Sequence, residues 1–149
     1  MQMNARNGYQ VYREAQAQEL DQAKLILMMF AGAIRFLDRA MELGDGNPLE
    51  AGKYLSKTKK VILELISSLD MDNSGEMGAI LFRAYQGLFL KLNTAHMRND
   101  ARRIAEVRGS LAELEDSWKQ VFASPEYQDF RKNPTQLRAT IHGGGYEGM

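Results

Sequence analysis

The sequence predicts an all-α protein: an antiparallel up-down four-helix bundle with an N-terminal arm and a flexible C-terminal tail. Three observations carry that reading. Apolar residues recur at spacings of three and four in four stretches of about 20 residues, enough for helices ~30 Å long. Short links rich in Gly, Asp, Asn and Pro join them, which lays consecutive helices side by side in opposite directions. No stretch alternates apolar and polar residues with the period of two that a half-buried strand needs. The expected division is an arm over residues 1–18, a bundle over 19–123 and a tail over 124–149.

Composition narrows the chemistry. The 149 residues suit one domain. Nineteen basic and nineteen acidic residues cancel, so no net charge draws the chain toward nucleic acid or an anionic membrane. Without cysteine there is no disulfide, thiol nucleophile or thiolate metal site. The opening MQMNARNGYQ lacks the hydrophobic core of a signal peptide, and no apolar run is long enough to span a membrane, so the chain reads as cytosolic. Nine methionines fill a core or adapt a surface to varied apolar partners, and core filling is the simpler reading.

The arm is polar, with Tyr9, Val11 and Tyr12 as its large apolar group. It cannot form a core alone, although a loose helix is compatible with its residues. The first main helix is expected to begin at Glu19 or behind an Asp21 cap. Residues 24–43 of that helix, KLILMMFAGAIRFLDRAMEL, are the most apolar stretch of the chain. Plotted at ~100° per residue, the apolar side chains cover about 220° of the circumference, twice what one partner needs. Lys24, Arg35, Asp38, Arg39 and Glu42 hold the rest. Such a helix must lie among several neighbours, some of them from another molecule.

Gly44-Asp45-Gly46-Asn47-Pro48 stops this helix, and Pro48 opens the second, expected to residue 69, with Leu55, Ile62 and Leu65 in its apolar stripe. Lys53, Lys57, Lys59 and Lys60 lie mostly off the stripe and read as a solvated face. The third helix is expected over residues 76–98. Leu81, Tyr85, Leu88 and Leu92 face the core, Phe82, Phe89 and His96 line one flank, and Leu90 and Met97 lie about 160° from the core row. Those two side chains are predicted to be more exposed than Leu88 and Leu92. The fourth helix, residues 101–122, carries Ile104, Val107, Leu111, Leu114, Trp118 and Val121 at coiled-coil spacing, a seam expected to be buried. The tail after Pro125 is expected to hold little regular structure, with Phe130 and Leu137 as its docking side chains.

No motif supplies catalysis. Asp70-x-Asp72-x-Ser74-Gly75 opens like a calcium loop, but its twelfth position is Leu81, not the bidentate glutamate, so the aspartates read as helix caps. The two histidines, His96 and His142, follow no Glu-x-x-His pattern of a di-metal bundle, and His96 reads as a hydrogen-bonded flank residue. Gly143–Gly145 follows no strand and opens no helix, so it makes no phosphate cradle. No cofactor, metal or catalytic residue is assigned.

Several stretches together resemble the FliS family of flagellar secretion chaperones. They are Tyr9-Gln10, then LILMMFAGAIRFL at residues 25–37, Leu69-Asp70, Tyr85, Ala95-His96, Asp100, Glu106-Val107 and Trp118. Each is weak alone; their order and spacing are specific. The chain departs from the family pattern at Phe30 for tyrosine, Ala31 for aspartate, His96 for asparagine, and Asp21-Gln22 for Ser-Pro. The resemblance implies a cytosolic, non-enzymatic bundle that holds the disordered C-terminal segment of flagellin as helices in apolar grooves before type III export. It implies the flagellar export gate as a further partner, and a homodimer as a state without client. The side chains assigned to client or arm contacts are Tyr9, Tyr12, Phe30, Phe82, Phe89, Leu90 and Met97. The alternative is a structural or adaptor bundle that oligomerises through the same surfaces.

Overall fold

A computed structural model describes the backbone of residues 7–132 and the side chains of residues 22–129. Its helices are α1 (Asn7–Leu43), α2 (Pro48–Ser67), α3 (Gly75–Arg98), α4 (Ala101–Ala123) and α5 (Pro125–Lys132), with one 3-10 turn at Gly44–Gly46. No strand occurs among the described residues. α1 packs against both α2 and α4, and α3 closes the ring between them. The fold is the expected all-α bundle.

The links follow local chemistry. Gly44 takes φ +48° after the last turn of α1, a conformation that costs a side chain dearly and glycine little. Asn47 then accepts the Glu50 amide on its side chain at 3.3 Å, and Pro48 fills the first helical position, where a missing N–H costs nothing. Between α3 and α4 two residues suffice. Asn99 adopts the left-handed conformation, and the amides of Asn99 and Asp100 bond back to the carbonyls of His96 and Ala95. Asp100 then turns its carboxylate onto the amides of Arg102 and Arg103 and caps α4. Its carboxyl is held below the ordinary value chiefly by the Arg103 backbone bond.

Phe30, Ala33 and Leu37 of α1, Leu55, Ile62 and Leu65 of α2, Tyr85, Leu88 and Leu92 of α3, and Ile104, Val107 and Leu111 of α4 form one continuous core. Fully burying a side chain of this size stabilises by about 1.5–3 kcal/mol. Cross-helix polar pairs fix the register. Arg108 donates to both Asp38 oxygens at 2.8 and 3.3 Å, joining α4 to α1. Both side chains are about two-fifths exposed, so the pair aligns helices more than it stabilises them. Thr58, the one buried polar residue among those described, donates its hydroxyl to the Tyr54 carbonyl at 2.9 Å.

The structure differs from the sequence expectation in four places. α1 begins at Asn7, so the stretch read as an arm is helical from there and continuous with the main helix. No apolar stripe marks residues 7–18; absence of helix breakers, not packing, permits the extension. α5 adds a short helix where little structure was expected, opened by Pro125 and by the Ser124 hydroxyl, which accepts the Tyr127 amide at 3.2 Å. The α4 seam is buried only at Ile104, Val107 and Leu111; Leu114 and Trp118 are half-buried and Val121 is exposed. The aspartates of the link before α3 do not cap it. Ser74 stands at that position without a side-chain cap bond, and Asp70 instead accepts the Asn73 amide group at 2.7 Å.

Candidate functional site

The outer face of α3 presents apolar side chains to solvent. Leu90 is 57% exposed and Met97 80%, whereas Leu88 and Leu92 of the same helix are buried. This is the predicted ordering, and it follows from the ~100° turn per residue. Asn93 lies between them and sends its amide to the Met97 sulfur at 3.9 Å. Phe82 and Phe89 are half-buried on the flank, and Phe89 packs on the core. Phe30 is fully buried, with its ring centroid 6.2 Å from that of Tyr85. α2 and α4 cover the two sides of the wide apolar face of α1, and Phe30 points between them to α3. That coverage leaves Leu25 and Met28, midway along α1, exposed. The side chains of Tyr9 and Tyr12 lie outside the described residues.

Two open grooves flank the α3 face. One, of about 430 Å³, runs between α3 and α4 over Ala84, Gly87, Leu88, Ser110 and Leu114, with Arg83 at its rim. The other, of about 510 Å³, runs along α2 against His96. Sequence reading did not find it, since it joins residues some forty positions apart.

His96 is the hydrogen-bonded flank residue expected. Its Nδ1 lies 2.9 Å from Lys59 Nζ, and Lys59 also donates to Asn93 at 3.3 Å. An ammonium has no lone pair, so Nδ1 is the acceptor and the ring proton sits on Nε2. Burial, and then the Lys59 charge, hold His96 below its ordinary value of 6.5. The unfolded chain therefore binds more protons at this ring. Stability is expected to fall as pH drops below about 6.5 and to level off once the folded ring titrates. His96→Asn keeps an acceptor for Lys59 and removes the titration. Urea midpoints from pH 7 to 5 should fall less steeply for that variant than for the natural chain; identical slopes would refute the assignment.

Among the described residues no group of three or more His, Cys, Asp or Glu side chains is placed to hold a metal ion, and no helix is long and apolar enough to cross a membrane. The candidate site is a surface on which apolar side chains stand exposed at helical spacing.

Comparison with known proteins gives this surface its context. A family model described as flagellar protein FliS matches residues 5–125. The chain belongs to the FliS family. Its relatives include the flagellar secretion chaperones FliS of Salmonella typhimurium, 34% identical over 82% of this chain and 92% of that protein, and of Campylobacter jejuni, 32% identical over 76% and 90%. The Bacillus subtilis chaperone is 28% identical over 82% and 91%. Family membership supports a chaperone role in flagellar export. Among the positions that carry the FliS resemblance, Tyr85 and Trp118 meet inside the bundle: the indole Nε1 donates to the tyrosine hydroxyl at 3.0 Å. Asp100 is the cap of α4. These FliS-like positions hold the scaffold rather than the exposed row.

Proposed function

We propose that this FliS protein is a non-catalytic cytoplasmic export chaperone that binds the disordered C-terminal segment of flagellin. It takes that segment as helices in apolar grooves and prevents premature polymerisation before type III export. The observation that carries the proposal is the exposed pair Leu90 and Met97, standing in a bundle whose four helices already bury one another. Side chains at i and i+7 on one helix face match the anchors of an amphipathic client helix. The client orders on binding, so affinity comes from a wide wrapped area less an ordering cost. Phe82 and Phe89 extend the same surface, and Tyr9 and Tyr12 are assigned to it from the N-terminal side. The export gate is the partner that receives the loaded chaperone, and the homodimer is the state in which two such surfaces cover each other.

The test is calorimetry with a flagellin C-terminal peptide and the full chain. Leu90→Asp with Met97→Asp places two charges in the contact and is expected to weaken binding at least tenfold. Its stability cost should stay under about 1 kcal/mol, since both side chains are exposed. Unchanged affinity would move the site off α3. No complex at all, with self-association in light scattering, would favour the adaptor alternative. The same titration on a chain lacking residues 1–18 separates a competing cover, whose loss tightens binding, from a solvated leader, whose loss changes nothing.

A further inference from the structure

The groove along α2 is built differently from the α3 face. Leu49, Gly52, Lys53, Ser56, Lys57 and Lys60 follow one another at steps of three, one, three, one and three, so they form a single straight strip. Gly52 and Ser56 make its floor, and the three lysines stand along it. Their ammonium groups fall at i, i+4 and i+7, a run of ~10 Å along the axis. All three lysines are exposed, in a chain whose formal net charge is zero. Lys53 shares its charge with Glu50 at 2.9 Å. Lys57 is already held in place, its Nζ 4.8 Å from the centroid of the Tyr54 ring and 5.7 Å from that of Phe36. Lys60 has no ion pair among the described residues. At one end Leu49 is 76% exposed.

His96 completes the wall from α3. With Nδ1 committed to Lys59, its Nε2–H is the free donor, and Nε2 faces Gly52 so closely that an added Cβ there would sit 3.1 Å away. Four donors, of which Lys53 alone already meets a carboxylate at Glu50, a backbone floor with little side chain and one apolar contact at the end define the complement. It is a helix or extended segment that carries carboxylates about one turn apart beside an apolar residue.

We infer that the α2 groove is a docking site for an acidic peptide segment of a partner protein, read by Lys53, Lys57, Lys60 and the Nε2–H of His96, with Leu49 as its apolar contact. Charge complementarity carries the choice of occupant. A nucleic acid is a poorer fit: the strip spans three lysines, contains no arginine and belongs to a chain with no net charge to hold a polyanion. A membrane is also a poorer fit, because the surface is concave and exposes one large apolar side chain. The site borders the α3 row but does not depend on the client reading.

The probe is a labelled alanine-based helical peptide with glutamates at i, i+4 and i+7 and a leucine one turn away, titrated into the full chain by fluorescence anisotropy. The control peptide carries glutamine at the three acidic positions. The glutamate peptide should bind at least tenfold tighter than the control, and the difference should shrink as salt rises from 50 to 500 mM. Lys53→Gln with Lys60→Gln should remove at least nine-tenths of the affinity. Amide shifts on binding should centre on Gly52 and Ser56. Lys60→Gln alone, at a side chain without an ion pair, guards against a folding defect in the double variant. The inference is overturned if the two peptides bind alike or not at all up to millimolar concentration. It is equally overturned if the variants bind as the natural chain does, or if the shifts centre on Leu90 and Met97. Binding to phosphatidylglycerol vesicles in place of the peptide would also overturn it.

Discussion

Phe30→Ala is expected to lower the unfolding free energy by about 3–5 kcal/mol. Phe30 is fully buried, and its ring reaches from α1 to Tyr85 of α3 across the middle of the bundle. Removing it leaves a void lined by side chains that α2 and α4 hold in place, so the walls collapse only in part. A loss of that size is a large share of the 5–15 kcal/mol that stabilises a typical domain. In a urea titration the midpoint should fall by more than about 1 M with the slope unchanged. Phe30→Leu keeps most of the volume and should lose much less. An unchanged midpoint for the alanine variant would mean that α1 is rotated and Phe30 faces outward.

The second large effect is expected at Trp118. It is half-buried, stacks on Phe122 at 5.3 Å between centroids and donates its indole N–H to the hydroxyl of Tyr85, which is 1% exposed. Burial holds that hydroxyl above its ordinary pKa, so it stays protonated and neutral through the physiological range. Trp118→Ala should cost about 3 kcal/mol, the low end for an aromatic truncation because part of the ring already meets water. Trp118→Phe keeps a stacking ring but strips the buried hydroxyl of its donor, at about 1–2 kcal/mol. Tyr85→Phe on that background removes the orphaned oxygen and should restore most of the loss. Urea titrations of the natural chain, the two singles and the double give the coupling. If the two single effects simply add, the hydrogen bond contributes nothing and the cost is packing alone.

The bundle was legible because its signals are local and redundant. Ile62, Leu65, Leu88 and Leu92 stand at helical spacing, and Gly44, Pro48 and Asn99 punctuate the links by backbone chemistry that needs no tertiary context. The start of α1 was not legible, since residues 7–18 carry neither a stripe nor a stop. α5 was missed because eight residues are too few to show a period; the ring of Tyr127, 5.0 Å from that of Phe122, is a tertiary contact that the sequence does not display. At the candidate site, Leu90 and Met97 could be placed by angle alone. Phe30 could not, because an apolar face of about 220° does not say which of its rows the neighbours leave uncovered. The α2 groove was read as a solvated lysine face for a related reason: its far wall is His96, and only the antiparallel pairing of α2 with α3 brings that ring to Gly52.

The bond between Asp38 and Arg108 spans 70 positions of chain, and on the ribosome that separation becomes a waiting time. At typical bacterial and eukaryotic elongation rates Arg108 follows Asp38 by roughly 4–14 s. Throughout that interval the widest apolar face of the molecule has emerged, while the helix that covers one side of it has not. A nascent α1–α2 hairpin therefore displays to the translating cell the greasy flank that the finished bundle hides. For those seconds this helper of other chains has the same need for shelter that it is proposed to meet.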